Sequence, residues 1–184
     1  MCQMKTCERW RLKILKGRAL IMSALAVTGH RPDKLWGYSY KRPQYIALGK
    51  QIRDYILGSG HVHFITGMAL GVDTIFALVV LKLKQQYPNT YTLECAIPCR
   101  NHSCKWQSES VKLYHEIVCQ ADTVTLVSDT EYTPHCMQLR NEYMVDHCDE
   151  LLAVWDGSSS GTGNCVQYAK RKSVQIHQIN PTAL

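Results

Sequence analysis

Asp149-Glu-Leu-Leu-Ala-Val-Trp-Asp-Gly-Ser-Ser-Ser-Gly-Thr-Gly-Asn-Cys-Val-Gln-Tyr-Ala169 is the stretch whose reading decides the fold. Leu151 to Trp155 is a short apolar run suited to a buried strand. Asp156 to Gly163 draws only on Asp, Gly, Ser and Thr, and then Cys165, Val166 and Ala169 recur at helical spacing ahead of Lys170-Arg171-Lys172. Strand, glycine-rich turn and helix in that order leave backbone N–H groups free at a helix N-terminus, where an anion binds well. Gly161 and Gly163 let a ligand approach the backbone, and Ser158 to Ser160 and Thr162 add hydroxyl donors. The same turn also serves as an ordinary connection, so this stretch alone leaves both readings open.

Outward from it, strand-like and helix-like apolar segments alternate. Strands are predicted at 24–28, 62–66, 91–97, 123–128, 151–155 and 174–179, and helices at 43–58, 71–86, 106–120, 138–148 and 163–172. This order predicts an α/β domain, a Rossmann-like three-layer α/β/α sandwich with a mainly parallel sheet. In such a sheet ligands sit beyond the carboxyl ends of the strands. Thr28-Gly-His-Arg-Pro32, Thr66-Gly-Met-Ala-Leu-Gly-Val-Asp73 and the Asp156–Gly163 turn all fall at those ends, so a shared cleft is expected.

The formal charge of +6 is unevenly placed. Residues 1–21 hold six Lys or Arg and one Glu, which leaves 15 basic and 14 acidic groups in the rest. Residues 1–21 are read as a basic N-terminal extension, disordered or weakly helical, and 22–184 as the domain. The near-neutral domain speaks against a nucleic-acid partner. No run of 18 apolar residues suggests a membrane span. Nine cysteines with no secretory signal point to free thiols in a reducing cytoplasm rather than a disulfide scaffold.

Each motif has a bland reading beside its functional one. Arg31 suits a phosphate or carboxylate and His30 a ligand bond or proton transfer, while a turn closed by Pro32 needs neither. Gly67 and Gly71 allow a tight turn; Asp73 suits a ribose hydroxyl, or merely the dipole of the helix it opens. Arg140 and Asn141 are placed at the start of a helix, where an Arg is unfavourable to the dipole and calls for an anionic partner. Leu139, Tyr143 and Asp146 share a face of that helix. Cys95, Cys99, His102 and Cys104 lack paired Cys-x2-Cys knuckles, so no metal is expected. Trp36, Tyr38 and Tyr40 among Lys34, Lys41 and Arg42 could stack a base, or form a lid packed on the domain.

Taken together, Thr28-Gly-His-Arg-Pro, Gly67-Met-Ala-Leu-Gly-Val-Asp, Arg140-Asn-x2-Met-Val-Asp-x2-Asp and Trp155-Asp-Gly-x3-Gly-Thr-x-Asn-x-Val-x-Tyr-Ala resemble the YpsA family, a bacterial and phage branch of the SLOG superfamily. The second motif also looks like a helix start in the DNA-processing protein DprA. The resemblance runs from about residue 24 to 181 and implies a Rossmann-like fold that binds nucleotides or nucleotide-derived, ADP-ribose-like molecules. It implies that Gly157, Ser159, Gly161 and Thr162 cradle phosphate, Arg31 and Arg140 offset its charge, and Asp73 or Asn164 holds a ribose. Gly29, His30, Gly67, Gly71, Asn141 and Asp156 complete the expected site. The related LOG phosphoribohydrolases carry a Glu three residues after their Gly-Thr; here that position is Cys165. The expected role is therefore a sensor or sequestering protein, without cofactor, whose partner is a nucleotide-derived small molecule; a homo-oligomer is compatible with it. The alternatives are an N-glycosidase or nucleotide hydrolase using His30, Asp73 or Asp156, and a single-stranded nucleic-acid binder using the Trp36–Arg42 loop.

Overall fold

The computed structural model describes residues 23–184, with the backbone of one short antiparallel pairing, Ile14–Leu15 with Arg18–Ala19. The expectation for the rest of residues 1–21 lies outside the described residues. Six strands form one sheet: β1 (Ala24–Gly29), β2 (His63–Thr66), β3 (Thr92–Ile97), β4 (Thr123–Leu126), β5 (Glu150–Val154) and β6 (Gln175–Ile179). Their order is β4-β3-β2-β1-β5-β6, and every neighbouring pair is parallel. The connecting helices are α1 (Pro43–Ser59), α2 (Val72–Gln86), α3 (Ser108–Gln120), α4 (Pro134–Asp146) and α5 (Gly161–Arg171).

Side-chain alternation along the strands sorts the helices into two layers. Leu25, Val27, Phe64, Leu93, Cys95, Leu152 and Val154 pack with Leu48, Ile52 and Ile56 of α1, Phe76 and Val80 of α2 and Ile117 of α3. Ala26, Ile65, Ala96 and Leu151 face the other way, against Met144 and Val145 of α4 and Cys165 and Ala169 of α5. Strands covered on both faces read as continuous apolar runs, which is why β1, β2 and β5 are buried along almost their whole length. Among the described residues no helix is long and apolar enough to cross a membrane.

The chain leaves β1 toward β2 and returns to its other side as β5. Gly29 lies level with Val154, so the two strands end side by side where their connections diverge. A crevice belongs at that point. Glycines bring the surrounding turns close. A Cβ on Gly29 would overlap the Val72 side chain, and one on Gly71, whose φ is +99°, would lie 2.6 Å from the His30 carbonyl oxygen.

The start of α4 departs from the expectation of residue 138. The helix begins at Pro134, whose fixed φ suits the first turn, and the Thr133 hydroxyl accepts the Cys136 N–H at 3.2 Å. Arg140 therefore lies in mid-helix, so the dipole argument for it fails. Its anionic partner exists all the same: the buried guanidinium donates to the Gly67 carbonyl and sits 3.4 Å from Asp73. The inward face of α4 carries Cys136, Arg140, Asn141, Met144 and Val145, so the shared face of Leu139, Tyr143 and Asp146 is not the buried one.

Two stability measurements check this framework. Gly71→Ala should lose about 1–3 kcal/mol by urea denaturation, because its backbone conformation disfavours a side chain and the space is taken. Arg140→Leu strands the Asp73 carboxylate and should cost about 3–5 kcal/mol near neutral pH. Burial raises the Asp73 carboxyl above its ordinary value even with Arg140 beside it. In the variant Asp73 thus takes up a proton on folding, a contribution that grows as pH falls toward the raised pKa. The deficit relative to wild type should be smaller at about pH 5.5 than at about pH 8, and an equal or larger deficit would contradict the pairing.

Candidate functional site

At the β1/β5 divergence lies a half-open cleft of about 350 Å³. Its walls are Thr28 to Arg31 after β1, Ala69 and Asp73 at the start of α2, Met137, Arg140 and Asn141 on α4, and Ser160 to Thr162 at the start of α5, with Asp33 and Lys34 at the rim. Of the residues expected from sequence, Gly29, His30, Arg31, Asp73, Arg140, Asn141, Gly161 and Thr162 come together here.

The α5 side is built by its own turn. Gly157 takes φ +92°, Asp156 accepts the Ser158 N–H at 2.9 Å, and the Trp155 indole donates to the Ser158 carbonyl at 2.7 Å. Ser160 caps the helix by accepting the Gly163 N–H at 3.1 Å. Gly161 and Thr162, the first two helical residues, are thereby left with amides that have no intrahelical acceptor. A Cβ on Gly161 would meet no atom within 4 Å, so this glycine opens onto free space. Gly163 differs: its Cβ would approach the Ser158 carbonyl to 3.1 Å, so its smallness serves the turn. Gly157 and Ser159 likewise shape the turn and do not line the cleft; the Ser159 carbonyl accepts Lys34 Nζ at 3.2 Å across its mouth.

Arg140 forms the floor. Its Nη1 is occupied by Gly67 and Asp73, but its Nε is buried and has no hydrogen-bond partner. Gly67 is a packing residue for this arginine, since a Cβ there would overlap the guanidinium. Asp73 is 4 % exposed and accepts the Ala69 N–H at 3.2 Å. Asn141 Nδ2 donates to the Gly161 carbonyl at 3.4 Å, which ties α4 to α5.

His30 is 2 % exposed, and its Nε2 lies 2.8 Å from Asp156 Oδ1. The neighbouring Ser158 hydroxyl and N–H, and then His30, hold the Asp156 carboxyl well below the usual carboxylate range. Asp156 itself is exposed and does not line the cleft. Asn164 is exposed and outside the cleft. Cys165 is fully buried against the sheet, and burial pushes its thiol up to about 11. It can serve neither as nucleophile nor as base near neutral pH.

Ser160, expected as a hydroxyl donor, also lines the cleft, while Thr28, Asp33, Ala69 and Met137 line it without a ligand role being expected from sequence, and Lys34 is expected only in the aromatic loop. Met137 was legible: Thr133-Pro134 is a helix start, and counting from it puts Met137, Arg140 and Asn141 on one face. In the Trp36–Arg42 loop, Trp36 and Tyr40 pack edge-on against Tyr45 at 5.0 and 5.2 Å, and the Tyr40 hydroxyl accepts the Gly71 N–H at 2.9 Å. Only Tyr38 of these rings is largely exposed, at 58 %. Among the described residues no group of three or more His, Cys, Asp or Glu is placed to hold a metal. Cys95 faces the core, and His102 Nε2 bonds the Met68 carbonyl at 3.1 Å.

Known proteins share both the sequence pattern and the fold. The sequence model of the YpsA family, described as the YspA SLOG family, matches residues 25–184. The prophage-derived protein YoqJ of Bacillus subtilis, itself uncharacterized, is 33 % identical over 143 residues, covering 71 % of this chain and 83 % of its own. A UPF0398 protein of Halalkalibacterium halodurans is 30 % identical over 159 residues, covering 84 % of each. Among solved structures, DNA processing protein A (DprA) of Streptococcus pneumoniae superposes with a TM-score of 0.60 at 15 % identity, over 86 % of this chain and 50 % of that one. DprA of Helicobacter pylori, described with a single-stranded DNA binding mode, gives 0.58 at 17 % identity over 86 % and 66 %. The fold is the DprA-like Rossmann fold, and the chain belongs to the YpsA family of SLOG proteins.

Proposed function

We propose that the cleft binds a phosphorylated, nucleotide-derived small molecule, with its phosphate held between the α5 N-terminus and Arg140. One observation carries this reading: a buried guanidinium on the cleft floor keeps one N–H without an acceptor. Such an orphaned donor is costly unless a ligand supplies the acceptor. The Gly161 and Thr162 amides, the helix dipole, Arg31 and Lys34 all favour the same sign of charge at that spot. An ADP-ribose-like ligand would extend from the half-open cleft past its mouth. The role that follows is a sensor or a sequestering protein.

The hydrolase alternative lacks its carboxylate. Cys165 lies in the core, Asp73 is committed to Arg140 and Ala69, and Asp156 reaches the cleft only through His30. The DNA reading enters through the binding mode described for the H. pylori neighbour. The packed Trp36 and Tyr40 rings leave little stacking surface for it here.

Gly161→Val tests the phosphate position. Its side chain points into open space, so the melting temperature should stay close to wild type while binding of inorganic phosphate, AMP and ADP-ribose is lost in calorimetry. Undiminished binding would remove the assignment. For the enzyme alternative, wild-type protein at high concentration should release no free base from nucleoside monophosphates or ADP-ribose over hours. Turnover that falls about a hundredfold in His30→Ala or Asp73→Asn with affinity kept would make it a hydrolase instead.

A further inference from the structure

Of the two residues expected to hold a sugar, Asn164 lies outside the cleft, and Asp73 has its Oδ2 engaged by Ala69 and Arg140. His30 offers a further acceptor. Its ring is almost wholly buried and lines the cleft, its Nε2 is fixed by Asp156, and its Nδ1 has no hydrogen-bond partner among the described residues. An ionised carboxylate can only accept, so in the neutral ring Nε2 carries the proton and Nδ1 presents a lone pair. A phosphate dianion has no hydrogen to give that lone pair; a hydroxyl has.

We infer that His30 Nδ1 accepts a hydrogen bond from a sugar hydroxyl of the ligand, making the cleft selective for free phosphorylated ribosides over the internal nucleotides of DNA. This rests on the phosphate reading above. Arg140 and the Gly161 and Thr162 amides line one part of the cleft, and the His30 ring, fixed by Asp156, lines another. The complementary molecule bears an anion and, nearby, a hydroxyl. An internal nucleotide of DNA has no 2′-hydroxyl, and its 3′ oxygen is esterified, so its sugar has no hydroxyl to donate. A buried site built to bond a hydroxyl rejects analogues that lack it, because its own polar atom is then left unpaired.

Calorimetric titration of the full chain at about pH 8 separates the cases. The probes are inorganic phosphate, AMP, 2′-deoxy-AMP and 3′-deoxy-AMP. AMP should bind about tenfold or more tighter than one of the deoxy analogues, and His30→Phe should bring the two within about twofold while leaving phosphate affinity in place. Equal affinity for AMP and both analogues in the wild type overturns the inference but leaves the phosphate reading standing. So does a preference that survives His30→Phe. Failure of phosphate and all three nucleotides to bind overturns both. Should His30→Phe not fold, nitrogen NMR of the wild type decides: the His30 Nδ1 resonance should move with AMP and stay with phosphate, and the reverse pattern overturns the assignment.

Discussion

A guanidinium cannot shed its charge in a protein, and Arg140 is 6 % exposed in the middle of a helix. Much of the chain is arranged to permit this. Gly67 must lack a side chain because the guanidinium occupies that space, and its carbonyl takes one N–H. Asp73 supplies the counter-charge from the first turn of α2, and the Ala69 N–H holds its carboxylate in place. α4 must begin early, at the Thr133 cap, for Arg140 to face inward beside Met144. A buried ion pair of this kind adds little net stability over an apolar replacement, since desolvation offsets most of the attraction. What it provides is a cation at a fixed place, on the floor of a cleft, with its buried Nε left without a partner.

That cation meets the α5 terminus because of strand order. All six strands are parallel, so α2 after β2 and α5 after β5 open at the same end of the sheet, and with β1 between β2 and β5 they do so on opposite faces around its end. The domain outside residues 1–21 is almost neutral, and the cleft brings Arg31, Lys34, Arg140 and two helix-terminal amides around one volume, against the carboxylates of Asp33 and Asp73. A polyanion needs phosphate contacts spread along a track, and a neutral domain with its basic groups gathered at one cleft does not provide one.

The layered fold was legible because its strands are buried on both faces and its helices on one, so apolar runs and helical spacing alternate in the sequence. The six strands of the sheet and the five α-helices came out right in type, whereas Ile14–Leu15 and Arg18–Ala19 pair as strands where a disordered or weakly helical extension is expected, and the largest boundary difference is at α4, which starts at Pro134 and not at 138. That miss had a consequence: a helix start at 138 makes Arg140 look exposed and at odds with the dipole, whereas it is buried and paired. In the cleft, glycines and charges at strand ends were legible because few other residues occupy such turns. Which atoms face the ligand was not. Ser159 and Ser160 look alike in sequence, yet one lends its carbonyl to Lys34 and the other caps α5. Asn164 and Cys165 follow Gly161-Thr162 equally closely, and helical geometry sends one to solvent and the other to the core.

The position of Cys165 also bears on chemistry. It packs with Ala26, Ile65 and Leu151 under the cleft floor, next to Thr28. A carboxylate there would have to be desolvated among these aliphatic groups or displace them to reach the cleft, and either is costly. The small thiol keeps the α5–sheet contact closed beneath the site. Stabilising positive charge at a sugar carbon needs a nearby negative group that is free to act, yet Asp73 and Asp156 are already tied to Arg140 and His30. A carboxylate that is already the partner of a fixed cation or imidazole is poorly prepared to stabilise a second positive charge, and this is the physical reason the proposed role is to hold a phosphorylated sugar and not to break it.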